Sequence, residues 1–189
     1  LDTTDREGGI SAVLEAAKER GVSHFLSVAV DISTSKSLLE LTAQHDNVYS
    51  SVGAHPLQKV QQAVPTVEEL VELAKQPGVV AIGETGLDNF YSSETIDWQR
   101  ASFINHLKAS QQINKPVIIH TRDARDETIR LLRQYTPSAA GVMHCFTESW
   151  EMAEQALELG FYISFSGIVT FASADELRDV ATKVPLDRI

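Results

Sequence analysis

Cysteine is nearly absent from this chain. Cys145 stands alone, so no internal disulfide can form, and a reducing, cytoplasmic setting is the expected one. No apolar run approaches the roughly 20 residues that a membrane helix needs, so no membrane partner is expected. Positive charge is also scarce: 16 Lys and Arg stand against 26 Asp and Glu, a formal net charge of −10. That balance excludes a large non-specific nucleic-acid surface built on clustered basic side chains. It does not exclude a phosphate substrate, because bound divalent ions would bring positive charge to the place that needs it. No low-complexity tract is present, and 43% hydrophobic content over 189 residues suits one globular domain with a sizeable core.

What is present is organised around Val79 to Asp88, Val-Val-Ala-Ile-Gly-Glu-Thr-Gly-Leu-Asp. Four apolar residues end abruptly in a carboxylate between two glycines, which reads as a buried strand delivering Glu84 to the mouth of a site. An uncompensated buried charge costs on the order of several kcal/mol, so Glu84 requires an ionic partner or a bound cation.

The rest of the chain alternates around this stretch. Ile10, Val13, Leu14 and Ala17 form one helical stripe between Gly8 and Arg20, ended by Gly21. A strand is predicted over Val22 to Val30, a helix over Ser35 to His45, and a strand over Val48 to Gly53 that leads to His55-Pro56. Thr66 with Glu69 makes a capping box for the stripe Val67, Leu70, Val71 and Ala74. After the Glu84 strand come a helix from Glu94 to Ile113, a strand from Lys115 to His120, and a helix after Asp123. Gly141 to Phe146 carries His144 near a strand end, Ser149 to Leu159 is helical, and Phe161 to Phe165 is a strand. Ser173 with Glu176 reads as a second capping box, and Val184 to Ile189 as the start of another strand.

Strict alternation implies a parallel sheet, either an open doubly wound one or a (β/α)8 barrel. An open sheet concentrates its ligand at a switch point, usually with a Gly-rich phosphate loop, and no G-x-G-x-x-G follows any strand here. Site-like residues at several successive strand ends favour the barrel, whose strand ends all surround one mouth. The expected class is therefore α/β, a TIM (β/α)8 barrel without its first and last strands. Residues 1–189 are then expected to be one domain, truncated at both ends.

His55, Glu84, His120 and His144 stand at predicted strand ends, about one βα unit apart, for which roughly 30 residues is typical. Imidazole nitrogen with carboxylate oxygen is a ligand set for divalent metals, and a carboxylate can bridge two ions. Two ions about 3.5–4 Å apart activate water and stabilise the entering and leaving oxygens of a phosphoryl displacement. His24, His45 and His106 read as structural. His144 beside Cys145 does not read as a nucleophile and base, because adjacent strand residues point to opposite faces. Asp123 either caps the next helix or serves the site, and Arg122 either clamps a phosphate or pairs with a carboxylate. Phe90, Tyr91 and Trp98 either stack a base or pack as core and rim.

Five segments then carry a family likeness. Val-Gly-Ala-His-Pro-Leu (52–57), Ala-Ile-Gly-Glu-Thr-Gly-Leu-Asp (81–88), Lys-Pro-Val-Ile-Ile-His-Thr-Arg-Asp-Ala (115–124), Met-His-Cys-Phe-Thr (143–147) and Gly-Phe-Tyr-Ile-Ser-Phe-Ser-Gly (160–167) resemble the TatD family of metal-dependent deoxyribonucleases. The resemblance implies an amidohydrolase-like barrel with two divalent metal ions, Mg2+, Mn2+ or Zn2+. It makes Glu84 the bridging and catalytic ligand and gives the second ion to His120 and His144. His55, Arg122 and Asp123 would be substrate-binding residues near the phosphate, with Arg122 also acting in catalysis. The family's first metal is held by a His-x-His on strand one and an aspartate on strand eight, neither of which is in this sequence, so residues 1–189 alone are expected to hydrolyse little. Asn89 stands where an aromatic residue is common in the family.

The implied activity is a nuclease that hydrolyses phosphodiester bonds of DNA ends or single strands as an exonuclease, through a metal-activated water, in a monomeric protein. Two other readings are a hydrolase of ester or amide bonds in a small or RNA-linked substrate, and a degenerate, non-catalytic barrel.

Overall fold

The alternation read from the sequence is realised element by element in the computed structural model, which describes residues 9–57 and 63–189. The helices are α1 (Gly9–Lys18), α2 (Ile32–Gln44), α3 (Val67–Ala74), α4 (Ile96–Ile113), α5 (Arg125–Gln134), α6 (Trp150–Glu158) and α7 (Asp175–Lys183). Between them run β1 (Phe25–Ser27), β2 (Val48–Val52), β3 (Val79–Asp88), β4 (Val117–Arg122), β5 (Gly141–Met143) and β6 (Tyr162–Ile163). All five neighbouring pairs are parallel, and the spatial order β1 to β6 is the chain order. An open doubly wound sheet reverses its order at a switch point, so sequential order identifies an arc of a (β/α)8 barrel. Among the described residues, no helix is long and apolar enough to cross a membrane.

The apolar stripes do the packing. Val52, Val79, Ile82, Leu87 and Ile119 from the strands meet Phe103 and Leu107 of α4 and Leu131 and Leu132 of α5 in the main core. Leu14 of α1 joins Leu38 and Leu41 of α2 and Val48 in a second cluster, while Leu70 and Val71 of α3 lie with Ala109 in a third. Thr66 caps α3 as expected, its hydroxyl accepting from the Glu69 N–H at 3.1 Å.

Four local expectations are corrected. The first strand is three residues long, because beyond Ser27 the backbone leaves the ladder: Ala29 donates to the Ser51 hydroxyl, and the carbonyls of Ala29 and Val30 accept from Glu84 and His55. Ser173 does not cap α7, whose entry residue is Ala174; Arg178 instead holds this entry, donating to the carbonyls of Val169 and Phe171 and to the Asp175 carboxylate. Val184 to Ile189 does not begin a strand, since Arg188 donates to the Pro185 carbonyl and closes a 3-10 turn. Ala124, not Asp123, precedes α5, and no side chain caps that helix. Gly8, at the start of the first helical stripe, lies outside the described residues.

Candidate metal centre

The two glycines beside Glu84 set the geometry. Gly83 and Gly86 adopt φ of 132° and 146°, and a Cβ at Gly86 would lie 1.8 Å from the His120 carbonyl oxygen. Only glycine allows β3 to press this closely on β4, where the register shifts between Ile82 and Thr85 and Gly86 pairs with His120. Glu84 therefore sits at an irregularity in mid-strand and not at a strand end. His120 likewise lies inside β4, whereas His144 directly follows β5 and His55 lies beyond the end of β2.

These four residues converge on one carboxylate oxygen. Glu84 Oε1 is 3.0 Å from His144 Nδ1, 3.6 Å from His120 Nδ1 and 3.9 Å from His55 Nε2. Glu84 is 7% exposed, and the His55 and His120 rings are tilted against each other at 4.4 Å. Burial by itself would raise the Glu84 pKa, but the hydrogen bonds of His120 and His144 outweigh it and hold the carboxyl down at about 2. Burial and the neighbouring His120 push His55 down to about 4. His120 is raised, because Glu84 and Asp88 overcome the cost of its burial, and His144 is raised by its bond to Glu84.

The second nitrogen of each ring separates the roles. His120 Nε2 lies 2.9 Å from Asp88 Oδ2, and since a carboxylate only accepts, Nε2 carries the proton and Nδ1 presents its lone pair toward Glu84 in the neutral ring. That is the usual support of a metal-ligating imidazole. His55 Nδ1 accepts from the Leu57 N–H at 3.1 Å, so the neutral His55 ring carries its proton on Nε2 and faces the centre as a donor. Oxygen and nitrogen atoms of His55, Glu84 and His120 lie within 4.8 Å of one another, compact enough for a divalent ion. A donor set of one ionised carboxylate and imidazoles fits such an ion.

Arg122, the last residue of β4, lies with its guanidinium 4.8 Å from the Phe90 ring centre and 5.7 Å from that of Tyr91. It has no carboxylate partner among the described residues. Asp123 is exposed at φ 52°, its N–H donating to Glu148 and its carbonyl accepting from the Asn89 side chain. Arg122, Asp123, Arg125, Thr147 and Glu148 line a cavity of about 300 Å³.

Two contributors were not assigned from sequence. Asp88 is fully buried and orients His120, and a carboxylate closing an apolar strand was the available signal. Glu148 is 5% exposed and binds both Arg125 and the Asp123 backbone; nothing in Phe-Thr-Glu-Ser distinguishes it from a surface residue.

The whole chain, residues 1–189, matches the family model described as TatD related DNase. It is 47% identical over 190 residues to the uncharacterized metal-dependent hydrolase YcfH of Escherichia coli K12, covering 100% of this chain and 71% of that one. It is 32% identical over 179 residues to the 3'-5' ssDNA/RNA exonuclease TatD of the same organism, covering 94% and 69%. Among solved structures, YJJV, a TatD homolog from Escherichia coli K12, superposes with a TM-score of 0.90 at 28% identity, over 99% of this chain and 73% of that one.

Proposed function

Since the chain belongs to the TatD related DNase family, a family of metal-dependent hydrolases, we propose that it hydrolyses phosphodiester bonds of DNA, working from an end of a single strand. The observation that carries this reading is the convergence of three imidazoles on one oxygen, Oε1, of the buried Glu84 carboxylate. Glu84, His120 and His144 would hold two divalent ions, Mg2+, Mn2+ or Zn2+, with Glu84 shared between them. Such ions supply Lewis acidity that activates water and stabilises charge on the phosphoryl oxygens.

The chain's own residues then do the following. Glu84 stays ionised at neutral pH and offers both oxygens. Asp88 fixes the His120 tautomer so that Nδ1 faces the centre. His55, held neutral by burial, offers its Nε2–H to a phosphate oxygen, and Arg122 offers a planar fork for the same phosphate. Asp123 lies beside Arg122 at the rim, where it would limit how the phosphate enters.

Glu84→Gln in the intact protein tests this reading, because it removes the charge and keeps the size. Expected are a loss of divalent-ion binding by calorimetry and a fall of at least about 100-fold in metal-dependent release of nucleotides from a single-stranded oligonucleotide, the upper end of what losing only a supporting partner costs. Unchanged metal-dependent activity would overturn it.

A further inference from the structure

We propose that Phe90 and Tyr91 form a stacking platform for the nucleobase next to the phosphate held by Arg122, so that the site selects ends whose bases are unpaired. This rests on the nuclease reading above. The two rings are 55% and 63% exposed, although they come within three residues of a strand end buried from Ala81 to Asp88, so they are not core packing. They meet edge to face at 4.5 Å, and the Arg122 guanidinium lies over both. A cation beside two exposed π faces matches the two chemistries of a nucleotide, an anionic phosphate and a flat base.

The loop that carries the rings is built, not loose. Asp88 Oδ1 accepts from the N–H groups of Phe90 at 3.0 Å and Tyr91 at 2.7 Å. The buried Gln99 side chain closes the loop from behind, accepting from the Asp88 N–H and donating to the carbonyls of Asp88 and Ser92. The other oxygen of Asp88 holds His120. One buried carboxylate therefore fixes the platform relative to the candidate metal ligand, which is the register that cleavage next to a stacked base demands.

Charge decides why stacking is needed. With 16 Lys and Arg against 26 Asp and Glu, the chain has little positive charge with which to grip a nucleic-acid backbone. Affinity must come from few local contacts, and stacking contributes about 1–3 kcal/mol per base.

The test compares single-stranded oligonucleotides that end in a normal or in an abasic nucleotide, so that the scissile diester is the same. Wild type should prefer the base-bearing end by about tenfold or more in kcat/KM, mainly through KM, the fold-change that about 1.4 kcal/mol of stacking gives. In F90A/Y91A that ratio should collapse to about one, while the aromatic exchange F90Y/Y91F should keep it. A ratio that survives in F90A/Y91A, or a wild type indifferent to the base, overturns the platform. A protein that cleaves neither oligonucleotide overturns the nuclease reading instead. The platform is then judged by quenching of a terminal 2-aminopurine on binding, which F90A/Y91A should abolish and which, if retained, refutes it.

Discussion

His106 is fully buried and His120 partly so, and each brings both ring nitrogens near polar partners, yet those partners differ in kind. His106, on α4, accepts from the Ala54 N–H through Nε2 at 3.0 Å and bonds the Ser102 carbonyl through Nδ1 at 2.7 Å. Its partners are backbone, and burial pushes its pKa down to about 4. His120 has two carboxylates for partners, and they raise its pKa against the effect of burial. A buried imidazole satisfied by backbone is a neutral strut that joins elements. One set between carboxylates lies in a local excess of negative charge, which only protons or metal cations can relieve.

The largest effect expected is on stability against pH. The folded pKa of His106, about 4, lies below its unfolded value of 6.5. Between these values the unfolded chain binds more protons, so the contribution is fully present above about pH 6.5 and is lost as pH falls toward 4. At 1.36 kcal/mol per unit this amounts to on the order of 3 kcal/mol. His120 has the opposite sign: its raised pKa stabilises the fold below 6.5 and loses that stabilisation as pH rises. Urea unfolding of wild type and His106→Gln from pH 7 to pH 4 isolates the first term. The variant's curve should fall less steeply by about that amount, and parallel curves would break the contrast.

A smaller effect is expected at Asp88, whose carboxylate sets His120 apart from a backbone-held strut. In Asp88→Asn an amide N–H would face His120 Nε2, favouring the tautomer protonated on Nδ1 and removing the lone pair aimed at Glu84. Losing such a partner costs about 10–100-fold in metal affinity. Titration calorimetry with Zn2+ or Mn2+ measures it, and wild-type affinity would show that His120 does not ligate through Nδ1. The loop should stay in place, because the remaining side-chain oxygen can still accept from Phe90 and Tyr91.

The same contrast explains what could be read in advance. Glu84 drew attention because an apolar run that ends in a carboxylate leaves a charge to be accounted for, although β3 runs on past it to Asp88. The approach of His120 and His144 to Glu84 was expected from the βα spacing, although His120 lies inside its strand and not at its end. The sequential sheet followed from the alternation of stripes and apolar runs. Asp88 as an orienting group was not legible, since only the pairing of Gly86 with His120 brings it opposite that ring. The caps were legible at Thr66 and misread at Ser173, where a distant guanidinium took the role that a local hydroxyl was given. His106 was correctly read as structural, but its partner Ala54 lies 52 residues away and donates from its backbone, which no side-chain pattern encodes.

The smallest effect expected concerns how His106 is held. The Ser102 hydroxyl lies 3.4 Å from Nδ1, whereas the Ser102 carbonyl is at 2.7 Å. The shorter contact is the stronger, and side-chain substitution cannot remove a carbonyl. Ser102→Ala should therefore cost no more than about 1 kcal/mol and leave the His106 titration, followed by NMR, where it was. The strut would then be backbone at both ends, Ala54 on one side and Ser102 on the other, and tolerant of the side chains around it. A larger loss, or a His106 pKa that moves toward 6.5, would mean that the hydroxyl carries the ring. His106 would then depend, as His120 does, on a side chain that mutation can remove.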